Sequence, residues 1–465
     1  MKKKVFVFLP DGIGLRNFAY TQFEQIGDQK GYEIVYWNNT IFSLKEELNY
    51  EELRIENQKI HKLTPVFTKA RKRIELNIFD KKFKDTVYNT YNFPESYKGI
   101  NNAIKSILVK IIVFFCSNKK GLLFVRKQIK KLERKNSKYK YCKSQLEVHK
   151  PDFIFCTNQR QSQALAPLLA AQDLGIPTST FIFSWDNLPK ATTLVETDFY
   201  FVWSNYMKRE LLLYCPYVKE NQVFVTGTPQ FESHFDKSLL KSRIDFFKEN
   251  NLDINKRYLC FSGDDFVTSP LDQYYLEDLA KTVVELNKSD FNIGIIFRKC
   301  PIDFTGRYNE VIKKYKEVIV VMDPLWRPIG RQWNEIIPTK EDFSLQVNIC
   351  RHTEFVANIA SSMVFDFVAQ NKSCLFFNYE QPQLKNGIRD VGQNYNYIHF
   401  RSMPSKDAVL WIFDKNELTN TVKTILDGQI SSINQGKKWF DIIVGLNPTS
   451  ASEKIWDAIA EIIDK

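Results

Sequence analysis

The chain has 465 residues, a formal net charge of +11 at neutral pH, and 44% apolar residues. This length exceeds one ordinary hydrophobic core, so we expect two domains, and the apolar content argues against extensive disorder. Eight dispersed cysteines without a CxxC spacing argue against a disulfide scaffold or a zinc site and are typical of reduced thiols in a cytosolic protein.

The first residues, MKKKVFVFLPDG, predict a β-strand. A signal peptide would need a longer apolar stretch followed by small residues. The strand Val5–Leu9 ends in a turn that contains Asp11, Gly12 and Gly14, and a helix is predicted from Asn17. Two glycines allow a backbone to approach a ligand closely, although a GxG spacing alone is a weak motif. No apolar run approaches the about 20 residues that cross a bilayer.

Residues 40–150 form a helical, charged insertion that carries most of the net charge. Residues 101–150 hold fourteen Lys or Arg and two Asp or Glu, so the remainder of the chain is nearly neutral. Apolar runs at 107–116 and 121–125 are flanked by basic residues, which suits an anionic membrane surface. The alternative interpretation of this segment is a helix that packs in the core and exposes one basic face to solvent. Nucleic-acid binding is not expected, because the Gly-aromatic signatures of the common modules are absent.

Strands and helices alternate along the rest of the chain. Strands are predicted at 31–37, 152–157, 178–184, 199–203, 223–226, 258–262, 293–298, 318–322, 355–360 and 374–379, and helices at 161–174, 239–251 and 449–463. Such alternation predicts parallel sheets. We therefore expect an α/β protein with two doubly wound, Rossmann-like domains facing across a cleft. The predicted domains are 1–235, 236–440 and a closing helix at 441–465, which a capping box from Ser450 to Glu453 would start.

The segment Glu354–Tyr379 reads as strand, polar loop, helix and strand. Ser361 and Ser362 lie where the helix would begin, and the unpaired N–H groups of a helix N-terminus hold phosphate oxygens. Asp366 follows one turn later on the same face, where a carboxylate could accept hydrogen bonds from ribose hydroxyls. The same pattern also occurs in ordinary helices, where serine caps and early acids are common.

Three phrases resemble bacterial surface-polysaccharide glycosyltransferases of the GT-B fold. They are FSWDNL at 183–188, FVWS at 201–204 followed by Met207-Lys208 and Glu210-Leu211, and VTGTPQF at 225–231. The serine-acid element at 361–366 resembles the donor-nucleotide motif of that fold, although Asp366 stands where glutamate is more frequent. The resemblance covers about a third of the chain, and residues 40–150 lie outside it.

The resemblance implies metal-independent transfer of a sugar from a nucleotide-sugar donor to a lipid-linked or growing cell-surface glycan. No cofactor is expected, because enzymes of this fold neutralise the diphosphate with positive groups and helix N-termini. The basic insertion would place the protein on the inner face of the cytoplasmic membrane. A hydrolysing nucleotide-sugar epimerase and a membrane-docked scaffold without catalysis are the alternative functions.

Candidate site residues follow from these positions at strand ends. The general base is expected to be Asp11 or Asp186, although each could instead cap a turn. Donor-binding candidates are Ser361, Ser362, Asp366, Arg298, Lys299, Ser262, Gly263, Gly227, Thr228, Pro229, Gln230 and His352. Acceptor-side candidates are Gly12, Gly14, Asn17, Asn158, Arg160, Trp185 and Asn187. Asp264 and Asp265 are expected to be helix-start acids or site residues rather than metal ligands.

Overall fold

The computed structural model describes residues 2–92, 97–328, 336–384 and 390–464. The chain forms two compact units, one made of Met1–Gln230 with Ile443–Lys465 and the other of Phe231–Ile442. Each unit contains a parallel sheet covered by helices. This confirms the predicted fold class of two doubly wound, Rossmann-like α/β domains.

The first unit is built on a seven-stranded sheet. Its strands are β1 (Lys4–Leu9), β2 (Glu33–Asn38), β3 (Glu52–Arg54), β4 (Phe153–Cys156), β5 (Thr178–Phe181), β6 (Phe199–Val202) and β7 (Val223–Val225). Its helices up to residue 230 are α1 (Ile13–Phe18), α2 (Phe23–Gln29), α3 (Leu44–Leu48), α4 (Thr64–Phe83), α5 (Val87–Thr90), α6 (Ile100–Cys116), α7 (Lys119–Arg134), α8 (Ser137–His149), α9 (Leu165–Asp173) and α10 (Asn205–Tyr214). The strand order is β3-β2-β1-β4-β5-β6-β7, and neighbouring strands are parallel.

The basic insertion folds mainly as helices α4, α6, α7 and α8. Helices α7 and α8 pack apolar side chains, among them Val125 and Leu146, against the core of the first sheet. Arg71 of α4 and Arg126 of α7 share the buried carboxylate of Glu75. Apolar packing therefore fixes this helical layer to the first sheet, and a buried ion network joins helices α4 and α7.

The second unit has a six-stranded parallel sheet with the order β10-β9-β8-β13-β14-β15, and a separate antiparallel pair, β11-β12. Its strands are β8 (Arg257–Ser262), β9 (Ile293–Arg298), β10 (Ile319–Val321), β11 (Trp326–Pro328), β12 (Ile336–Pro338), β13 (Phe355–Asn358), β14 (Ser373–Phe377) and β15 (Leu410–Ile412). Its helices are α11 (Arg243–Glu249), α12 (Asp272–Asn287), α13 (Asn309–Lys314), α14 (Lys340–His352), α15 (Met363–Ala369), α16 (Gly392–Tyr395), α17 (Leu418–Leu426) and α18 (Ile433–Ile443).

The chain ends in helix α19 (Ala451–Ile463), which belongs to the first unit. The Trp456 ring stacks on Phe23 and Tyr32, and its Nε1 donates to the Phe23 carbonyl at 2.7 Å. The predicted capping box does not form, because Ser450 makes no side-chain hydrogen bond to the first turn. Tight packing against α2, rather than an N-cap, holds this helix.

None of the helices in the described ranges combines the length and apolar content that crossing a bilayer requires.

Candidate functional site

The first sheet reverses its winding between β1 and β4. Strands β2 and β3 lie on one side of β1, whereas β4 to β7 extend the sheet on the other side. In doubly wound sheets, ligands bind at the carboxyl ends of the strands at this switch point. Asp11 follows β1 and Asn158 follows β4, and the Asn158 amide donates to both carboxylate oxygens of Asp11, at 3.2 and 3.4 Å. The two predicted residues therefore meet at the switch point.

Asp11 has a carboxyl group with an unusual affinity for protons. Its side chain is buried, and burial raises its pKa from 3.8 to about 6. The Asn158 hydrogen bond and the charge of Arg160 act in the opposite direction but are weaker. A carboxylate with this pKa can accept a proton near neutral pH and still be mostly ionised.

The turn after β1 contains a glycine that allows close packing. A Cβ atom at Gly14 would overlap Oγ1 of Thr157, so the glycine lets α1 lie directly against β4. Gly14 is therefore needed for packing, and the approach of a ligand to this turn stays a prediction. Gly12 precedes α1 with an ordinary helical φ of −70°. Asn17 is buried, and neither atom of its amide has a partner among the described residues, so a bound ligand could supply one.

The residues after β5 lie one strand further along the same sheet edge. Asn187 accepts a hydrogen bond from the Gln159 amide at 2.8 Å, which joins the ends of β4 and β5. Asp186 forms an ion pair with Lys190 and accepts from the Asn187 amide at 2.8 Å. Trp185 is buried beside them. Because the Asp186 carboxylate is already paired with Lys190, it is less suited than Asp11 to take a proton.

Two further ionisable groups near this edge escaped the sequence reasoning. Burial raises the pKa of Glu210 in α10 to about 8, and the charge of Asp186 contributes in the same direction. Burial lowers the pKa of Lys72 in α4 to about 8, with additional repulsion from Lys190, Arg71 and Arg160. Lys72 occurs in a helix with an ordinary charged pattern and no local motif, whereas the sequence contains Glu210 only as part of the phrases that carry the resemblance.

The second sheet has an equivalent switch point between β8 and β13. Strands β9 and β10 extend it on one side, and β14 and β15 on the other. Ser262 and Gly263 end β8, and the Gly263 N–H donates to the Arg298 carbonyl at the end of β9 at 2.9 Å. Ser361 and Ser362 follow β13. These predicted donor residues therefore lie on adjacent strand ends.

Helix α15 starts directly after the serine pair. Ser362 precedes its first residue, is exposed, and makes no side-chain cap. Ser361 accepts a hydrogen bond from the Met363 N–H at 3.4 Å, and Ala360 has a φ of +51° that turns the chain sharply out of the strand. The Ser362 hydroxyl therefore makes no N-cap hydrogen bond to the first turn of α15.

Asp366 makes structural contacts inside the second unit. Its carboxylate is buried and lies 2.9 Å from Nε2 of His234 and 2.8 Å from the Gln346 amide nitrogen. Both of these contacts use Oδ1 of Asp366 and lie inside the second unit, so they give the carboxylate a structural role, and ribose binding by Asp366 stays a prediction. The sequence analysis missed His234, whose Nδ1 has no partner among the described residues.

The basic pair at the end of β9 is ion-paired. Two oxygens of Asp342 lie 2.9 Å from Nη2 of Arg298, and the guanidinium is buried. Nη1 of the same group is buried and has no partner in the described part of the chain. Lys299 is more exposed and lies 3.2 Å from Asp323.

The remaining donor candidates lie in structural turns. Gly227 has a φ of +80°, which favours glycine, and a Cβ there would meet Ala451 of α19. Thr228 is buried and accepts from the Gln230 N–H at 3.4 Å, and Pro229 starts a short helical turn.

His352 ends α14 at the amino edge of β13, and its ring bonds to the Lys241 carbonyl at 2.9 Å. This position is opposite the serine pair and does not support donor binding by His352.

The two adjacent acids after β8 also shape a loop. Asp265 accepts hydrogen bonds from the N–H groups of Val267 and Thr268, at 2.8 and 3.1 Å. Burial raises the pKa of Asp264 well above its usual range, and the charges of Asp265 and Asp272 add to this. Among the residues that the structure describes, no group of three His, Cys, Asp or Glu side chains is arranged to hold a metal ion.

Similar solved structures agree with this architecture, whereas no family model and no curated protein matches the sequence. A UDP co-structure of MnaA from S. aureus is 12% identical with a TM-score of 0.53, over 99% of this chain and 97% of that one. A UDP-N-acetylglucosamine 2-epimerase structure from Listeria monocytogenes is 11% identical with a TM-score of 0.53, over 100% and 97% of the two chains. A glycosyltransferase from Rickettsia africae is 9% identical with a TM-score of 0.50, over 100% and 98%. The chain has a glycosyltransferase-like fold of the GT-B type.

Proposed function

We propose that the protein is a metal-independent glycosyltransferase that moves a sugar from a nucleotide-sugar donor to a lipid-linked or growing cell-surface glycan. The observation that carries the proposal is Asp11, a buried carboxyl group at the first switch point with a pKa of about 6. A general base works best when its pKa lies near the working pH. The fold and the phrases that resemble surface-polysaccharide enzymes support this reaction class.

In this proposal the Asp11 carboxylate takes the proton of the acceptor hydroxyl while that oxygen forms a bond to the anomeric carbon of the donor. The bond between the anomeric carbon and the diphosphate oxygen breaks, and its electron pair leaves with the nucleoside diphosphate. In this proposal the unpartnered Nη1 of Arg298 and the polar strand ends at Gly263 and Ser362 donate hydrogen bonds to the diphosphate. The reaction needs no metal ion, so EDTA should leave the rate unchanged.

Donor binding is tested first, with the purified full chain. A thermal-shift screen of UDP, dTDP, GDP and CDP should identify one stabilising nucleotide. The double variant Ser361→Ala/Ser362→Ala should reduce the shift, whereas Ser289→Ala, an exposed serine elsewhere in the second unit, should not. An unchanged shift in the double variant would refute the donor assignment.

Catalysis is tested next, with donor sugars on the selected base. We expect product only when a glycan acceptor is present, and we expect Asp11→Asn to lose at least a hundredfold in rate while its nucleotide shift is retained. Asp186→Asn, at the neighbouring strand end, should keep most of the activity. Turnover of a UDP-N-acetylhexosamine without acceptor would instead indicate an epimerase. A chain that no nucleotide stabilises would fit the non-catalytic scaffold.

A further inference from the structure

Helix α6 has two apolar faces, and only one of them is covered. Val109 packs against Val66 and Ala70 of α4. The opposite face and the start of α7 expose nine large apolar side chains, between 38% and 81% of each: Ile100, Ile104, Ile107, Leu108, Ile111, Phe114, Phe115, Leu123 and Phe124. We call this set the α6–α7 apolar surface. Its members in α6 recur every three or four residues, so they form one continuous stripe along the helix.

The turn between α6 and α7 presents the aromatic end of this surface. Phe114 and Phe115 are 81% and 73% exposed, and they lie at the last turn of α6. Asn118 caps α7 by accepting a hydrogen bond from the Gly121 N–H at 2.9 Å. A Cβ at Gly121 would overlap the Cys116 backbone, so the glycine allows this tight connection. The two phenylalanines are therefore held outward on an ordered helical hairpin.

The charges of the segment that carries the apolar surface are of one sign. Residues 97–132 contain no Asp or Glu. Two of their cations, Arg126 and Lys130, point inward and pair with Glu196. The others are exposed and take part in none of the ion pairs formed by described residues: Lys98, Lys105, Lys110, Lys119, Lys120, Lys127 and Lys131.

We propose that the α6–α7 apolar surface docks on an anionic lipid bilayer, with α6 lying in the plane of the interface. The combination of a long apolar stripe, two projecting phenylalanines and a rim of lysines matches the chemistry of acidic headgroups above acyl chains. Helix α6 spans 17 residues, about 25 Å, which suits a helix lying in the interface. A second copy of the chain is a poorer occupant, because two lysine-rich faces would repel each other.

Vesicle flotation of the full chain tests this surface. We expect binding to vesicles of phosphatidylglycerol and phosphatidylcholine, and roughly tenfold weaker binding to phosphatidylcholine alone or in 0.5 M NaCl. Phe114→Ala/Phe115→Ala and Lys119→Gln/Lys120→Gln should each lower the affinity for anionic vesicles by about tenfold. The matched control Phe413→Ala/Leu446→Ala removes apolar side chains that are 58% and 80% exposed elsewhere and should bind like the parent.

The result that would refute membrane docking differs from the result that would refute the proposed glycosyltransferase function. The phenylalanine variant should keep the circular dichroism spectrum and the nucleotide thermal shift of the parent, since its changes are confined to exposed side chains. Absence of vesicle binding, or parental binding by the phenylalanine variant, would overturn the membrane assignment. A dimer in analytical ultracentrifugation that the phenylalanine variant abolishes, without vesicle binding, would also overturn it and indicate a second copy as the occupant.

Discussion

Asp11 and Asp366 are both buried carboxyl groups, and their neighbours give them different chemistry. Asp11 receives hydrogen bonds from the Asn158 amide, and its pKa is raised to about 6 by burial. Asp366 lies between His234 and Gln346 in the second unit. The first is suited to exchange a proton, whereas the second holds two parts of the chain together.

The stability of an Asp11→Asn variant should depend on pH in a defined direction. The folded state raises the pKa of Asp11 from 3.8 to about 6, so the stabilisation it provides is complete below pH 4 and is lost as the pH rises through 6. Above pH 6 the buried charge costs up to about 3 kcal/mol, which asparagine avoids. We expect urea unfolding to show a variant more stable than the parent at pH 8, and no gain at pH 4.

The exposed residue Asp28 provides the control for this experiment. Asp28→Asn removes a surface ion pair with Lys2 and should show no such gain at high pH. An Asp11→Asn variant that is destabilised equally at pH 4 and pH 8 would contradict the raised pKa.

Asp366→Ala should reduce stability rather than act on nucleotide binding alone. The change leaves the His234 ring nitrogen and the Gln346 amide without their acceptor inside the second unit, at a cost of about 3 kcal/mol. Chemical denaturation measures this loss, with Ser362→Ala as an exposed control that should change stability by less than about 0.5 kcal/mol. A variant as stable as the parent but with weakened nucleotide binding would restore the ribose role.

The sequence predicts which residues lie at strand ends, but it does not predict which side chains they contact. Asp11, Asn158, Ser262 and Ser361 lie at switch points because strand ends are readable from apolar runs and the polar residues that follow them. His234 and Asp366 are 132 positions apart, and no periodicity links them. Contacts of this kind depend on how distant segments pack, so they became visible only in the structure.

At the scale of elements, the helical layer of residues 64–149 is fixed to the loop after β5. Arg71 in α4 donates to the backbone carbonyls of Thr193 and Ala191, at 2.8 and 2.9 Å. Its partner Glu75 also pairs with Arg126 of α7, and Arg126 pairs with Glu196 in the same loop. This buried network orders the segment that follows Asp186 and Asn187.

Arg71→Leu should therefore destabilise the first unit strongly. It removes one cation from a buried network and leaves two loop carbonyls unpaired, for which we expect a loss of about 3–5 kcal/mol in the free energy of unfolding. Arg134→Leu is the matched control, because Arg134 pairs with Asp173 at the surface and should cost less than about 1 kcal/mol. Similar losses in the two variants would show that the buried network is not essential.

The predicted strands are all present, with ends that differ from the structure by at most three residues. They were readable because buried parallel strands are continuous apolar runs. The three-residue strands β3, β11, β12 and β15 were missed, whereas β7 and β10, which are equally short, were predicted because they are runs of β-branched and aromatic residues. The helix predicted from Asn17 instead divides into α1 and α2, and the one at 239–251 begins only at Arg243.

At the scale of the whole molecule, the second unit is inserted into the first. Residues Phe231–Ile442 form one unit, and the chain then returns to the other. Trp456 in α19 is fully buried beside Phe23 and above Gly27, where a Cβ would overlap the indole ring. The last helix is thus part of the core of the first unit.

Trp456→Ala should weaken the first unit selectively. Loss of a buried indole and its hydrogen bond to Phe23 should cost about 3–5 kcal/mol. Trp439→Ala removes an equally buried indole from the second unit and is the matched comparison. Limited proteolysis with mass spectrometry should locate early cleavage before residue 231 in the first variant and within 231–442 in the second. Cleavage at the same sites in both would contradict two separately stabilised units.

The position of α19 has a consequence for the order in which the chain matures on the ribosome. All residues of the inserted unit leave the exit tunnel before those of α19, because synthesis proceeds from the amino terminus. The first unit keeps its Phe23 surface uncovered until α19 has been synthesised. Chains truncated after residue 445 and held on the ribosome by a linker long enough to clear the exit tunnel should therefore expose an apolar site for chaperones in the first unit, while the second unit has already folded.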